Sequence, residues 1–273
     1  MMIGPDEDIE IRLLLDAIYH RFHYDFRSYS MASIRRRLAQ ARAQLGCETT
    51  SRLQERVLHD PQTFPRLLQF LTVQVSDLFR DPSFFAMLRT EIVPELRTYP
   101  SLKVWVAGCS TGEEVYSLAI AFREEGILDR TTFYATDINP DALRKAEAAV
   151  YPLERIPTFT ENHRLSGAPT SLSEHYTAAY GSAVLDRSLR KQIVFSDHSL
   201  ATDSVFAEVQ LVTCRNVLIY FDKALQDRAL GLMRDSLCRR GFLGLGTKET
   251  LRFSSHATAF RQPSLAEQWY QRC

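Results

Sequence analysis

The chain has 273 residues, 45% hydrophobic and 24% charged, an ordinary composition for a soluble globular protein of one large or two small domains. Lys plus Arg equals Asp plus Glu at 33 each, so no overall charge draws it toward nucleic acid or an anionic membrane surface. No apolar run reaches the roughly 18 residues of a membrane span, the acidic opening MMIGPDEDIE is unlike a secretory leader, and five widely spaced cysteines with no Cys-x-x-Cys pair predict neither disulfide framework nor zinc site.

A cytoplasmic, monomeric protein without a resident metal is the expectation. His198 and the His20/His23 pair have no third ligand at useful spacing.

Residues 7–72 read as helices. In EDIEIRLLLDAIYHRF, Ile9, Leu13, Ile18 and Phe22 recur near helical spacing. SMASIRRRLAQARAQLG follows, with a serine cap signal and Gly46 as its stop. TTSRLQERVLHD and PQTFPRLLQFLT suggest two more short helices, giving an all-α domain over residues 1–75. This domain holds ten arginines, and no lysine occurs before Lys103. Arg35 and Arg42 share a helix face, while Arg36 and Arg37 fan outward. The row is either a solvated face or a docking surface for an acidic partner.

Residues 76–100 read as a linker. From residue 101 strand-like and helix-like segments alternate: LKVWVAG, then VYSLAIAFREEG; TTFYATDIN, then DALRKAEAAV; then QIVFSD and AEVQLVTCRN. KALQDRALGLMRDSLCRRG reads as a helix and GFLGLGTKE as a late strand. Such alternation predicts an α/β domain over residues 101–273 with a doubly wound, mostly parallel sheet. Residues 151–190 break the rhythm; polar and rich in Ser, Thr and Tyr, they read as an inserted subdomain. EQWYQRC is either a loose tail or a packed end.

Ligands of open parallel sheets sit at the carboxyl ends of the strands, so the turn in VWVAGCSTGEEVYS is the first place to look. It has Gly108 and Gly112 but lacks the third glycine of a dinucleotide fingerprint and the Gly-Lys-Ser/Thr of a phosphate loop. Glu113 and Glu114 at the helix start would repel a phosphate while suiting the helix dipole. A cationic ligand without phosphate fits, and S-adenosylmethionine, with its ammonium and sulfonium, is one. Asp137 ends the second strand 29 positions after Gly108. It can accept the ribose hydroxyls, or it can cap the helix that begins near Pro140.

With these segments in view, AGCSTGEEVYS, ATDIN, TCRNVLIYFD and LTVQVSDLFRDPSFF together resemble the bacterial chemotaxis receptor methyltransferases, the CheR family. The blocks lie in order over residues 71–222, and the two-part organisation extends the resemblance over nearly the whole chain. The resemblance implies a Rossmann-like class I S-adenosylmethionine-dependent methyltransferase domain with a small inserted β-subdomain near 151–190, preceded by a small all-α receptor-docking domain. The implied reaction is methyl ester formation on glutamates of chemoreceptor-type signalling proteins, leaving S-adenosylhomocysteine. By similarity, the turn from Ala107 and Gly108 onward approaches the cofactor, Glu113 pairs with its ammonium, and Asp137 and Ile138 hold ribose and adenine. Gln74, Ser76, Ser199, Leu200 and Asn216 match cofactor-side positions; Arg80 matches an active-site arginine that also borders the cofactor, and Tyr220 a tyrosine near the methyl group.

Other roles stand beside these. Arg80 can pair with Asp77 or Asp81, Tyr220 can be a core tyrosine, Glu114 can be a plain helix-terminal charge, and Arg215 can be an internal ion-pair partner. The chain also departs from the family. Gln74 stands for the usual Asn, Ser76 for Thr, and Ser199 for Asn or Asp; Gly246-Thr247-Lys248-Glu249 stands where Gly-His-Ser-Glu is usual. These departures keep open a cofactor-binding sensor or scaffold of low activity, and a methyltransferase for another acceptor.

Overall fold

The computed structural model describes residues 5–74, 76–263 and 266–273. Met1–Gly4 and Val75, the residue expected to end the first domain, lie outside that set. The chain forms two compact units: Met1–Val73 with Tyr220–Arg228, and Gln74–Ile219 with Ala229–Cys273.

The first unit contains α1 (Pro5–Phe22), α2 (Met31–Leu45), α3 (Thr50–His59) and α4 (Thr63–Leu71). Gly46 ends α2 as read from sequence, in the left-handed conformation at φ 67°. The buried face of α1 differs from the expected one. Ile11, Leu14, Leu15 and Ile18 are at most 2% exposed, whereas Ile9 and Leu13 are 57% and 54% exposed. The run LLL offers more than one helical stripe, and the stripe at i, i+3, i+4, i+7 from Ile11 buries four large side chains where the other buries fewer.

In the second unit, residues 76–100 are not a free linker. They form α5 (Pro82–Met87), a π-helical turn (Leu88–Ile92) and α6 (Val93–Leu96). Leu78, Phe79, Phe85, Leu88, Ile92 and Leu96 are fully buried there. So apolar a segment cannot stay in water, and burying it is worth roughly 1.5–3 kcal/mol per large side chain.

The alternating region gives β1 (Leu102–Ala107), α7 (Glu113–Glu124), β2 (Thr131–Asp137), α8 (Pro140–Ala148), β3 (Val150–Pro152), α9 (Ile156–Leu165), β4 (Tyr176–Ala179), β5 (Ser182–Leu185), α10 (Arg187–Arg190), β6 (Ile193–Asp197), β7 (Val209–Cys214), α11 (Lys223–Ser236), β8 (Leu237–Leu245), β9 (Phe260–Arg261) and β10 (Trp269–Arg272). Seven strands make one sheet in the order β6-β2-β1-β7-β8-β10-β9. β6, β2, β1, β7 and β8 are parallel, and β10 and β9 join antiparallel. The expected doubly wound sheet is present.

A separate antiparallel sheet, β3-β5-β4, spans Val150 to Leu185 and covers most of the expected insertion at 151–190. α11 stops at Ser236, earlier than its helical pattern suggested, because Leu237–Leu245 pairs with β7 instead. The C-terminus is a packed end: Trp269 is fully buried and stacks on Phe84 at 4.2 Å.

Chain order leaves β1 outward to β2 and β6, then returns to β7 on the other side of β1. The switch point between β1 and β7 opens a crevice at their carboxyl ends.

Candidate functional site

The turn after β1 is shaped by its backbone. Gly108 sits at φ +73°, and a Cβ there would stand 2.5 Å from Val217 Cγ2. The loops after β1 and β7 therefore touch at the crevice, and only glycine allows it. Gly112 sits at φ +93°, where a Cβ would come 2.9 Å from Ala146 Cβ. Gly108 N and Cys109 N both donate to Thr136 O, at 2.8 and 2.9 Å, tying the turn to the end of β2.

Asp137 is the hub between the two strand ends. Its Oδ2 accepts from Ser110 N and its Oδ1 from Asn139 N, both at 2.9 Å. Burial raises its carboxyl above the ordinary range, against the pull of those backbone donors. The helix-capping role belongs to Asn139, whose Oδ1 accepts from Asp141 N at 2.9 Å. Asp137 is thus left to fix the turn, and each of its oxygens keeps lone-pair capacity for a ligand hydroxyl. Ile138 beside it is half-buried. His198 N reaches Asp137 O at 3.4 Å, which brings the β6 loop alongside. There Ser199 Oγ accepts from its own turn's Ala201 N at 3.3 Å, and Leu200 is buried.

The family resemblance assigns Glu113 to the cofactor ammonium. Glu113 is fully buried, with Oε1 accepting from Arg155 Nη1 at 2.9 Å and Oε2 from Thr111 Oγ1 at 2.7 Å. Arg155 also bonds Ser76 O and reaches Asp77 Oδ1 at 3.1 Å. Burial alone would lower the Arg155 pKa, but the bonds to Glu113 and Asp77 raise it, so the clamp stays charged. Glu114, set aside in the sequence as a helix-terminal charge, has the freer carboxylate. Its Oε2 meets Arg215 Nη1 at 3.3 Å, while its Oε1 is buried without a hydrogen-bond partner among the described residues.

Arg215 is the internal ion-pair partner that the sequence left open. Its Nη2 donates to Arg80 O at 2.7 Å and to Asp81 Oδ2 at 2.8 Å, and its guanidinium lies 4.1 Å from the Phe84 ring centre. The result bears on Arg80. Asp77 is engaged by Arg155 and Asp81 by Arg215. The Arg80 guanidinium has no hydrogen bond or ion pair among the described residues, and the residue is half-buried. On either side of it Phe79 and Asp81 hold left-handed backbones at φ 54° and 56°, which costs a bulky residue such as phenylalanine about 1–2 kcal/mol.

Asn216, at φ 60°, follows Arg215, and Glu249 anchors this loop. The buried carboxylate of Glu249 accepts from Asn216 N and Val217 N at 2.9 Å each, from Ile219 N at 3.3 Å and from Gly246 N at 2.7 Å. Burial raises its pKa against these donors. Sequence reasoning noted Glu249 only within a departure; its signal was an acid just past a buried strand end.

Gln74 Oε1 is 3.4 Å from Lys145 Nζ, and its Nε2 is a buried donor without a partner among the described residues. Ala107 is buried at the end of β1. Tyr220 falls in the first unit, where the Arg37 guanidinium lies 4.3 Å from its ring centre. Arg37 is 4% exposed and donates to Leu71 O, so it does not fan outward as expected: it follows Ile34 by three positions and so joins the buried face of α2.

The donor set fits an adenosyl-sulfonium ligand. Among the described residues, Ser110 Oγ, Glu114 Oε1 and Gln74 Nε2 are buried and unpartnered around a turn bearing two acids, where each such atom costs about 1–3 kcal/mol unless a ligand meets it.

Residues 9–72 match the family model "CheR methyltransferase, all-alpha domain", and residues 74–268 match "CheR methyltransferase, SAM binding domain". A Pseudomonas putida KT2440 protein called Cher3 is 60% identical over 253 residues, 93% of each chain. The chemotaxis protein methyltransferase of Listeria innocua is 31% identical over 199 residues, 70% of this chain and 71% of that one. The glycopeptide N-methyltransferase MtfA complexed with sinefungin aligns with TM-score 0.36 and 14% identity, over 63% of this chain and 50% of that one. Matches that together run from residue 9 to 268 place this chain in the CheR methyltransferase family, as an S-adenosylmethionine-dependent methyltransferase.

Proposed function

We propose that this chain is a cytoplasmic protein-glutamate O-methyltransferase acting on the acidic helices of a chemoreceptor-type signalling protein. The observation that carries the reading is the unpaired Arg80 guanidinium. The acids that would quench it are engaged elsewhere, and strained backbone holds it at the crevice. A cation kept free in this way suits a carboxylate substrate.

A glutamate side chain, with a pKa of about 4.3, is already ionised at neutral pH and needs no general base. The chain's task is to orient that carboxylate and exclude water, which can lower the barrier by roughly 7–11 kcal/mol. Arg80 orients the acceptor, and Tyr220 acts in methyl transfer. Gly108, Asp137, Ile138, Leu200 and Asn216 enclose the nucleoside. Glu114 takes the ammonium alongside Glu113, because Glu113 is already neutralised by Arg155. When bound, S-adenosylmethionine supplies a methyl group activated on sulfonium.

Docking falls to α2. Arg35 is paired with Asp8 at 2.6 Å and Arg42 with Glu7 at 3.2 Å, while Arg36 is exposed with no ion pair among the described residues. Arg36 therefore presents the free charge to acidic receptor helices, with Arg35 and Arg42 exchanging partners on contact. The enzyme works as a monomer.

Tritiated methyl transfer to a receptor signalling fragment tests the reading, with S-adenosylhomocysteine affinity measured in parallel. The label should be base-labile, as an ester is. Arg80→Ala should cut turnover by roughly 100-fold and Tyr220→Phe by less, both leaving S-adenosylhomocysteine affinity little changed. A base-stable label would mean a different acceptor. Tight binding with no transfer to any receptor fragment would mean a sensor.

A further inference from the structure

Away from the crevice, at the other end of α7, three side chains distant in sequence converge. Glu124, His163 and His175 present ligand atoms all within 4.8 Å of one another. Glu124 closes α7, His163 lies in α9, and His175 ends a short 3-10 turn (Leu172–His175) before β4. Their side chains are 1%, 2% and 4% exposed. His163 Nε2 is 2.9 Å and His175 Nε2 3.3 Å from the same oxygen, Glu124 Oε1. Thr170 Oγ1 also bonds that oxygen and lies 3.2 Å from His175 Nε2.

We propose that Glu124, His163 and His175 form a structural zinc site that fastens the inserted segment to α7. Tetrahedral zinc with N and O ligands at about 2.0–2.1 Å has ligand-to-ligand edges near 3.3 Å. The two carboxylate-to-imidazole separations, 2.9 and 3.3 Å, fall about that value, and all three ligand atoms lie within 4.8 Å of one another, so modest side-chain shifts admit the ion. Two imidazoles and one carboxylate select zinc over magnesium or calcium, which take oxygen shells. Arg89 Nη2 holds the other carboxylate oxygen, Oε2, at 2.5 Å, which leaves Oε1 as a single, oriented donor. Arg89 shares Glu124 and Glu125, and Glu125 is also held by Arg97, so the ion would take Glu124 Oε1 while Arg89 keeps Oε2. The fourth position lies beside the Thr170 hydroxyl, open to that group or to a water.

The site is structural rather than catalytic. Glu113 at the crevice and Glu124 here are about 16 Å apart along the helix. Arg155, just before α9, grips Glu113, and His163, within α9, meets Glu124. The inserted segment is thus pinned to both ends of α7, and the metal makes the second pin strong.

The test uses the full chain, freed of affinity tags and chelator-treated. Co2+ should bind at one equivalent with the visible bands of tetrahedral N/O coordination, and Zn2+ should displace it. Zn2+ should also raise the thermal midpoint and slow proteolysis within residues 166–190. His163→Asn and His175→Gln should each weaken Co2+ binding by at least about 100-fold, with circular dichroism and S-adenosylhomocysteine affinity as controls for folding. Absence of Co2+ bands together with an unmoved midpoint in excess Zn2+ would overturn the proposal and leave a hydrogen-bonded cluster. Co2+ binding unchanged in both variants would overturn it as well.

Discussion

Gly108 and Glu249 show how single residues set the crevice. A methyl group at Gly108 meets the Val217 side chain and a left-handed backbone at once. Gly108→Ala should cost about 2–5 kcal/mol, the sum of conformational strain and overpacking. Adding Val217→Ala removes the collision and should recover all but about 1–2 kcal/mol of backbone strain. Urea unfolding of the single and double variants separates the two contributions; no recovery would mean that the loops do not touch. Glu249 gives a pH test. Its folded pKa is raised by burial above the usual 4.5. A raised acid holds its proton more tightly folded than unfolded, so its contribution to stability is full below 4.5 and is lost as pH rises through the folded value. Glu249→Gln cannot titrate, and its amide turns N–H toward donors, so it should cost about 1–3 kcal/mol at neutral pH. Wild type should then gain further on the variant as pH falls from 7 toward 4.5. Thermal midpoints of both proteins across that range decide it, and parallel curves would contradict the direction given.

Elements were legible where one period dominated. β1 and β7 announce themselves as short apolar runs, and α7 follows its glycine turn, because a strand buried on both faces and a helix packed on a sheet leave few alternatives. α1 was read on the wrong stripe, since three consecutive leucines satisfy two helical faces and only the partners of the helix choose between them. That choice can be measured. Leu14→Ala should cost about 2–5 kcal/mol, while Leu13→Ala, at a position 54% exposed, should stay within about 0.5 kcal/mol. Comparable losses would return the core to the face first expected. The boundary between α11 and β8 was missed for a related reason. Leu237 and Cys238 continue a helical pattern locally, and only the pairing of Leu237 with Val209 of β7 opens the strand there. Of the site, the acids and glycines of the first turn could be read from spacing. Arg155, Glu249 and the His163–His175 pair could not, because each acts on a group at least 30 positions away.

At the scale of the molecule, a net charge of zero hides an uneven distribution. The first domain carries arginine as its only strong base, and much of that charge is spent internally: Arg35 on Asp8, Arg42 on Glu7, and Arg37 in a buried position over Tyr220. Arg36 is the residue of that row that stays exposed without an ion pair among the described residues. If acidic receptor helices are steered by this row, Arg36→Glu should act on encounter and not on chemistry. KM for a receptor fragment should rise roughly fivefold at low salt, with kcat unchanged, because a rim charge governs association more than the bound geometry. Raising ionic strength toward 1 M shortens the screening length to about 3 Å, so the two proteins should converge there. Arg35→Ala should do less, since it frees Asp8 as it removes the guanidinium. Steady-state methylation at three salt concentrations distinguishes the outcomes. A KM difference that persists at high salt, or a fall in kcat at any salt, would move receptor docking off the exposed face of α2.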